Sequence, residues 1–375
     1  MKIIYISNSI IPSRFANSVN VMKMCQAFSK NGHEVVLYAR EGKRFDAQVY
    51  KDYNVKPQFR IIRSKFLPTE IISNLVHIYN VVVDIKKKPM PDIFYSRVSY
   101  GLFVVSSLGI PMIYESHKLP GIKILKIIEK KLFSNRNFLR LVVISKALKN
   151  DYKKTFPFLP DDKIVVAHDG ADLPYKDKLS TDFEEIEGLI PNNHNLNVGY
   201  TGHLYRGRGI EIIASLANEL PQFNFHVVGG MNKDIIKWKS IYKMKNLIFH
   251  GFVPHSEINS YIKKFDIVLA PYQNNIYTSK QKTDISRWIS PMKLFEYMAA
   301  GKPIIVSDIN VFNEVLINNV NAIMVKPDDL EAWKNAILKL SSDKNQRIKL
   351  GQEAKKNLIQ NYTWTMRAIK VLNQL

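Results

Sequence analysis

The chain has 375 residues, 46% hydrophobic and 23% charged, the composition of a globular protein long enough for two domains with separate cores. Its one cysteine, Cys25, excludes an internal disulfide and a cysteine-based zinc site, and fits a reducing compartment. The formal net charge is +21 and uneven: residues 1–180 hold 30 Lys and Arg against 15 Asp and Glu, whereas residues 181–375 hold 24 against 18.

The opening residues 1–7 turn polar too quickly for a signal peptide. The longest apolar stretches are broken by Asn74, His77 and Asn80, or by Gly109 and Pro111, too soon for a membrane span. Short apolar runs alternate with longer helical patterns, which argues an α/β chain with parallel sheets. In the first half, strands are predicted over residues 3–7, 34–39, 60–63, 93–96, 112–115, 141–144 and 163–167, with helices such as 19–30 and 71–87 between them. Cys25 falls on an apolar helical face and reads as core.

Three places in this half carry candidate chemistry. After the first strand, Ala16, Asn17 and Ser18 open a helix whose free amides suit an anion. Arg97 ends the fourth strand. Glu115 and His117 end the fifth, with Glu115 placed to orient the loop and His117 either structural or a ligand contact. Further on, Lys118, Lys123, Lys126, Lys130, Lys131, Arg136 and Arg140 interleave with Ile122, Leu125, Ile128, Leu132 and Phe133. Their three- and four-residue spacing predicts one apolar helical stripe with lysines beside it.

Residues 178–195 turn acidic and polar and read as a linker. A second series of strands follows over residues 197–200, 225–228, 247–250, 267–270, 302–306 and 322–325. Helices are predicted at 209–220, 256–264, 291–300 and 330–341, with a last one at 363–375. The domains expected are 1–180, 196–360 and a closing helix over 361–375. Two doubly wound halves facing a central cleft is the economical arrangement, because such sheets bind ligands at their carboxyl edges.

In this half the strand at 197–200 runs into Gly202, His203, Arg206 and Arg208. Small residues let the backbone approach a phosphate, and arginine binds its oxygens bidentately. Gly229 and the run Gly251, Phe252, Val253 put exposed backbone at two further strand ends. The richest stretch is Ser290, Pro291, Met292, Lys293, Leu294, Phe295, Glu296. Here Ser290 is expected to cap a helix, Pro291 to fill its first position and Gly301 to close it. The amides of Met292, Lys293 and Leu294 then point outward at the positive end of the helix dipole. Lys293 beside them suits a diphosphate, and Glu296, one turn deeper on the same face, suits sugar hydroxyls.

The wording of that stretch, continued through Tyr297-Met298-Ala299-Ala300-Gly301-Lys302-Pro303, resembles the donor-binding motif of glycosyltransferase family 4. The resemblance extends over the chain and is strongest from Asn197 to Asp308. It implies a GT-B fold, with a nucleotide-binding C-terminal half, an acceptor-binding N-terminal half and a last helix crossing back to the first domain. It also implies a retaining transfer from a nucleoside diphosphate sugar, UDP first and GDP second, to a hydroxyl of a glycan or lipid-linked acceptor in cell-surface polysaccharide or glycolipid assembly. Glu296 matches the second glutamate of the family's Glu-x7-Glu pattern. The first falls on Trp288, and Asp284 is the nearest acidic substitute. Arg208 matches a family lysine on the diphosphate, and His203 stands at the family arginine, with Arg206 close by to compensate. The resemblance gives His117 the transferred sugar and gives Gly251–Val253 main-chain contacts to the nucleobase. It places Ala16, Asn17 and Ser18 where relatives often carry Gly-Gly.

No Asp-x-Asp triplet and no metal-ligand spacing occurs, so the leaving diphosphate is expected to be met by amides and cations without a metal or other cofactor. Two rivals remain: a nucleotide-sugar epimerase or hydrolase, which needs acid–base carboxylates near the sugar, and a nucleic-acid binder, for which no aromatic-plus-basic platform appears. The basic first half instead points to an anionic membrane surface as a partner. A cytoplasmic protein peripheral to that membrane is the expectation.

Overall fold

A computed structural model describes residues 1–42, 48–65, 69–173, 195–278 and 284–373, the side chains of 70 and 71 excepted. Two compact units emerge, Met1–Asp169 with Trp364–Leu375, and Gly170–Thr363. The expected linker lies outside the described residues up to position 194.

The first unit runs β1 (Lys2–Ile11), α1 (Ala16–Lys30), β2 (Glu34–Glu41), α2 (Gln48–Asp52), β3 (Arg60–Ser64), α3 (Glu70–Lys86) and β4 (Ile93–Ser96). It continues with α4 (Ser99–Val105), β5 (Met112–Ser116), α5 (Lys123–Phe133), β6 (Phe138–Val143), α6 (Lys146–Thr155) and β7 (Ile164–Val166). The strands pair in parallel in the order β3-β2-β1-β4-β5-β6-β7. β4 and β5 are buried at every position, as strands of a parallel sheet covered on both faces are. Cys25 is buried on α1 as expected. The order reverses between β1 and β4, so the turns after β1, β4 and β5 lie together at the carboxyl edge.

The second unit runs β8 (Asn197–Thr201), α7 (Ile210–Glu219), β9 (Asn224–Val228), α8 (Asn232–Ile241), β10 (Leu247–Gly251), α9 (Ile258–Lys264) and β11 (Ile267–Ala270). After it come α10 (Met292–Ala300), β12 (Ile304–Ser307), β13 (Ile323–Val325), α11 (Leu330–Ser342) and α12 (Lys344–Asn361). This sheet is also parallel, in the order β10-β9-β8-β11-β12-β13. Two apolar clusters make its core, one around Phe265, Tyr297 and Ile304 and one around Phe225, Ile267 and Trp333.

The last helix, α13 (Trp364–Leu372), belongs to the first unit. Its inner face carries Trp364, Ala368 and Val371 and one buried cation, Arg367. Arg140 ties its end down by donating to the carbonyls of Val371 (2.6 Å) and Asn373 (2.8 Å). Among the described residues no helix is long and apolar enough to cross a membrane.

Two local expectations need correction. α10 starts at Met292, one residue late: Pro291 takes the cap position with extended backbone (φ −78°, ψ 120°), and no side chain caps the helix. The Leu294 amide is then used, donating to the Pro291 carbonyl at 3.0 Å. Met292 and Lys293 remain as the outward amides of the first turn. On α5 the expected apolar stripe is only partly buried, and further apolar residues lie outside it. Leu132 and Phe133 are buried, Leu125 and Ile128 half-buried, and Ile122, Ile124 and Ile127 are exposed.

Candidate functional site

In the second unit, three neighbouring strands end in glycines that bond to one another through the backbone. The Gly202 amide donates to Val228 O (2.8 Å), and the Gly229 amide to Gly251 O (2.6 Å). Gly202 has φ +129°, and a Cβ there would stand 2.9 Å from Lys293 Nζ. Glycine at 202 is therefore what allows the α10 lysine to lie against this turn. The approach is fixed by Tyr297, whose hydroxyl accepts from the Thr201 amide (2.8 Å) and lies 3.2 Å from Thr201 Oγ1. That pair holds α10 in register with the end of β8.

Lys293 itself is half-buried, but its Nζ is closed off and has no hydrogen-bond partner. The ammonium lies 3.6 Å from the Tyr200 ring centroid and 5.2 Å from that of Tyr272. Arg208 approaches Tyr272 from its own side (Cζ to centroid 5.2 Å), and its Nε is likewise buried without a partner. Burial, then the Arg208 charge, pushes the Lys293 pKa well below the ordinary lysine range, with Glu296 resisting. A desolvated cation–π contact returns about 2 kcal/mol, whereas leaving a buried charge without a counter-ion costs on the order of 3–5 kcal/mol. The rings alone do not compensate two cations; an anion between them would.

Glu296 does not stand alone. His255, in the loop after β10, places its Nε2 2.8 Å from Glu296 Oε1. Its Nδ1 is buried and unpartnered. Phe252 and Val253 precede it, Phe252 exposed and Val253 packed on the core. Ser290 is buried just before α10.

Other candidates are placed differently from the expectation. Asp284 does not fill the place of the missing glutamate. Its Oδ1 accepts from the amides of Ile276 (3.0 Å) and Ser286 (2.9 Å), its Oδ2 from Asn275 Nδ2 (2.8 Å), and it clamps the loop. Arg206 is exposed with its guanidinium 5.1 Å from the Tyr277 ring, and no described contact joins it to Arg208 or Lys293. His203 stacks on Tyr205 (4.7 Å, 8°), and its carbonyl accepts from the Tyr200 hydroxyl (2.7 Å). Trp288 is half-buried in a turn, its amide donating to Ile285 O at 3.0 Å.

In the first unit, Glu115 and His117 meet a network that the sequence did not reveal. Glu115 is fully buried and accepts from the Tyr95 hydroxyl, from His117 Nε2 (2.6 Å) and from Arg367 Nη1 (3.1 Å). Burial works to raise its pKa, but Arg367 and His117 outweigh it and hold the carboxyl well below the usual range. Glu115 is thus a positioning residue, closed to any ligand. Because it can only accept, it fixes the proton of neutral His117 on Nε2 and leaves Nδ1 as an acceptor. Burial, then Arg97, lowers the His117 pKa against the pull of Glu115, so the ring is neutral at neutral pH. Its side chain is 23% exposed, enough for contact.

Arg97 donates to Asn20 Oδ1 (3.0 Å), and Asn20 Nδ2 donates to buried Asp169 (2.7 Å), whose pKa burial raises. Ala16 and Asn17 are exposed at the start of α1, but Ser18 is buried. Its hydroxyl donates to Phe15 O (2.8 Å) and accepts from Tyr53 (2.9 Å), which removes it from the ligand-facing set. Among the described residues no group of three His, Cys, Asp or Glu is placed to hold a metal ion.

Two parallel-sheet units, with glycine turns and a buried cation pair in the second, define the class: the fold is GT-B. The crystal structure of Anabaena Alr3699/HepE in complex with UDP and glucose superposes with a TM-score of 0.73 at 14% identity, covering 100% of both chains. Residues 198–357 match Glycosyl transferases group 1, and residues 18–174 match Glycosyltransferase Family 4. The chain belongs with the family 4-type GT-B glycosyltransferases. An uncharacterized glycosyltransferase of Methanocaldococcus jannaschii is 26% identical over 246 residues, 64% of this chain and 58% of that one, so the match spans under two thirds of that relative. The alpha-galactosylglucosyldiacylglycerol synthase of Streptococcus pneumoniae is 26% identical over 181 residues, 46% of this chain and 43% of that one.

Proposed function

We propose that the chain transfers a sugar, with retention, from a nucleoside diphosphate sugar to a hydroxyl of a glycan or lipid-linked acceptor in cell-surface polysaccharide or glycolipid assembly. The observation that carries this reading is the buried, unpartnered pair of Lys293 Nζ and Arg208 Nε beside the Gly202 turn. Two cations whose buried nitrogens have no hydrogen-bond partner, facing small residues and the outward amides of a helix start, suit a diphosphate. They would stabilise the charge that develops as the diphosphate leaves.

Glu296, steadied by His255, would hold ribose hydroxyls. His117, its Nδ1 kept as an acceptor, takes a hydroxyl of the transferred sugar. Arg97 and the start of α1 serve the acceptor side. As the resemblance to family 4 implies, the diphosphate itself receives the proton of the attacking hydroxyl. UDP is the first choice of nucleotide, supported by the UDP complex of the Anabaena neighbour. A lipid-linked acceptor is supported by the glycolipid synthase among the relatives, and work at the cytoplasmic face of a membrane is the reading that goes with such an acceptor.

Thermal shift with UDP, GDP and ADP, followed by assay of nucleotide release from the matching nucleotide sugars, tests the reading. Stabilisation by a nucleoside diphosphate and turnover of its sugar are expected. Stabilisation by none of the three would overturn it.

A further inference from the structure

The first unit carries an apolar face that no described residue of that unit covers. On α3, Ile72, Leu75 and Tyr79 recur at three- and four-residue spacing and share one side. They are strongly exposed, Leu75 at 63% and Tyr79 at 68%. α4 packs against both α3 and α5, and its Phe103 and Val104 are exposed between them. On α5, Ile124 and Ile127 point outward. The lysine Nζ of Lys131 stands 6.0 Å over the Phe103 ring and links the two helices. Seven large apolar side chains across three adjacent helices exceed the scattered exposure of an ordinary surface.

Among the described side chains, the charges left free around this face are positive. Lys123, Lys126, Lys130 and Lys131 are exposed beside Ile124 and Ile127, and Lys86 and Lys87 end α3. On α4 and α5 the single acidic residue, Glu129, is buried against Tyr114 and Tyr152. Asp84 of α3 is spent on Lys88 and Tyr38. We infer that the α3–α4–α5 face docks on an anionic phospholipid bilayer, the isoleucines, Leu75 and Tyr79 entering the interface while the lysines meet the headgroups.

A second copy fits poorly. Pairing this face with itself would set lysine against lysine in a chain of net charge +21. Nucleic acid would neutralise the lysines but leave Leu75 and Tyr79 in water. The inference deepens the lipid-linked acceptor reading, yet its test needs neither donor nor acceptor.

Co-sedimentation of the full chain with vesicles of phosphatidylcholine alone, and of phosphatidylcholine mixed with phosphatidylglycerol, measures it directly. Binding is expected to the mixed vesicles only, weakening as salt rises. Each lysine lost should cost about fivefold in partition. Lys123→Glu with Lys126→Glu and Lys130→Glu should therefore abolish it, and Leu75→Ser with Tyr79→Ser, or Ile124→Ser with Ile127→Ser, should cost several-fold. All these variants should keep the wild-type thermal shift with UDP, which separates lost docking from lost folding and from failure of the nucleotide reading. Apolar variants that sediment like wild type would overturn the inference, as would equal, negligible binding to both vesicles. A dimer in solution that only the apolar variants break would overturn it in favour of a second copy.

Discussion

Lys293 Nζ lies 3.6 Å from the centre of the Tyr200 ring, with no hydrogen-bond partner of its own. The second unit thus keeps a desolvated cation on a π-face at the start of a helix, an arrangement that costs stability unless an anion joins it. Lys293→Met keeps the volume and removes the charge. The variant is expected to melt higher than wild type in the absence of nucleotide, by the equivalent of about 1–3 kcal/mol. A lower melting temperature would mean the ammonium is already compensated.

The Glu296–His255 pair separates a contact from its support. Glu296→Ala and Arg208→Ala should remain folded and lose transfer by about 2–4 kcal/mol of transition-state stabilisation. His255→Ala should lose less, chiefly as a raised KM for donor, and His255→Gln should recover part of it by still donating to Glu296. Near-normal kcat/KM for Glu296→Ala at limiting donor would remove the carboxylate from the site.

Glu129 gives the first unit a pH signature. Burial raises its carboxyl from 4.5 to about 7, against hydrogen bonds from Tyr114 and Tyr152. The folded state therefore holds a proton that the unfolded chain releases at lower pH. Stability from this group is whole below about 4.5 and falls as pH rises through about 7, a loss on the order of 3 kcal/mol. Urea denaturation should find Glu129→Gln more stable than wild type at about pH 8 and equal to it at about pH 4.5. A constant difference across that range would contradict the assignment.

Transfer is expected to survive EDTA. The proposed reading gives the negative charge of the leaving group to Lys293, Arg208 and the outward amides of α10, without a metal. Loss on chelation, restored by magnesium or manganese, would require a different set of partners.

Both sheets were legible in the chain because strands such as β4, Ile93–Ser96, and β11, Ile267–Ala270, are buried throughout and show as uninterrupted apolar runs. α10 was legible by its wording, and Gly202 and Arg208 by the glycine-rich turn around them. What stayed hidden are partners that only the tertiary fold assembles. His255 meets Glu296 across 41 residues, and Arg367 reaches Glu115 across 252, with no local pattern at either end. Tyr200 and Tyr297 are buried in the core; their second use, under Lys293 and on Thr201, depends on α10 docking beside β8. Ser18 was misplaced because a serine at a helix start reads as outward, whereas Tyr53 from beyond β2 draws its hydroxyl inward.

The central claim is that Lys293 holds the diphosphate of a nucleotide. Calorimetric titration of wild type and Lys293→Met with UDP tests it most directly. Wild type is expected to bind, and the variant to bind at least about tenfold more weakly, a difference of about 1.4 kcal/mol or more. Wild-type affinity should also fall as pH rises, because the bound anion restores to Lys293 the proton that burial disfavours. Equal affinity in the two proteins, with no dependence on pH, would contradict the account.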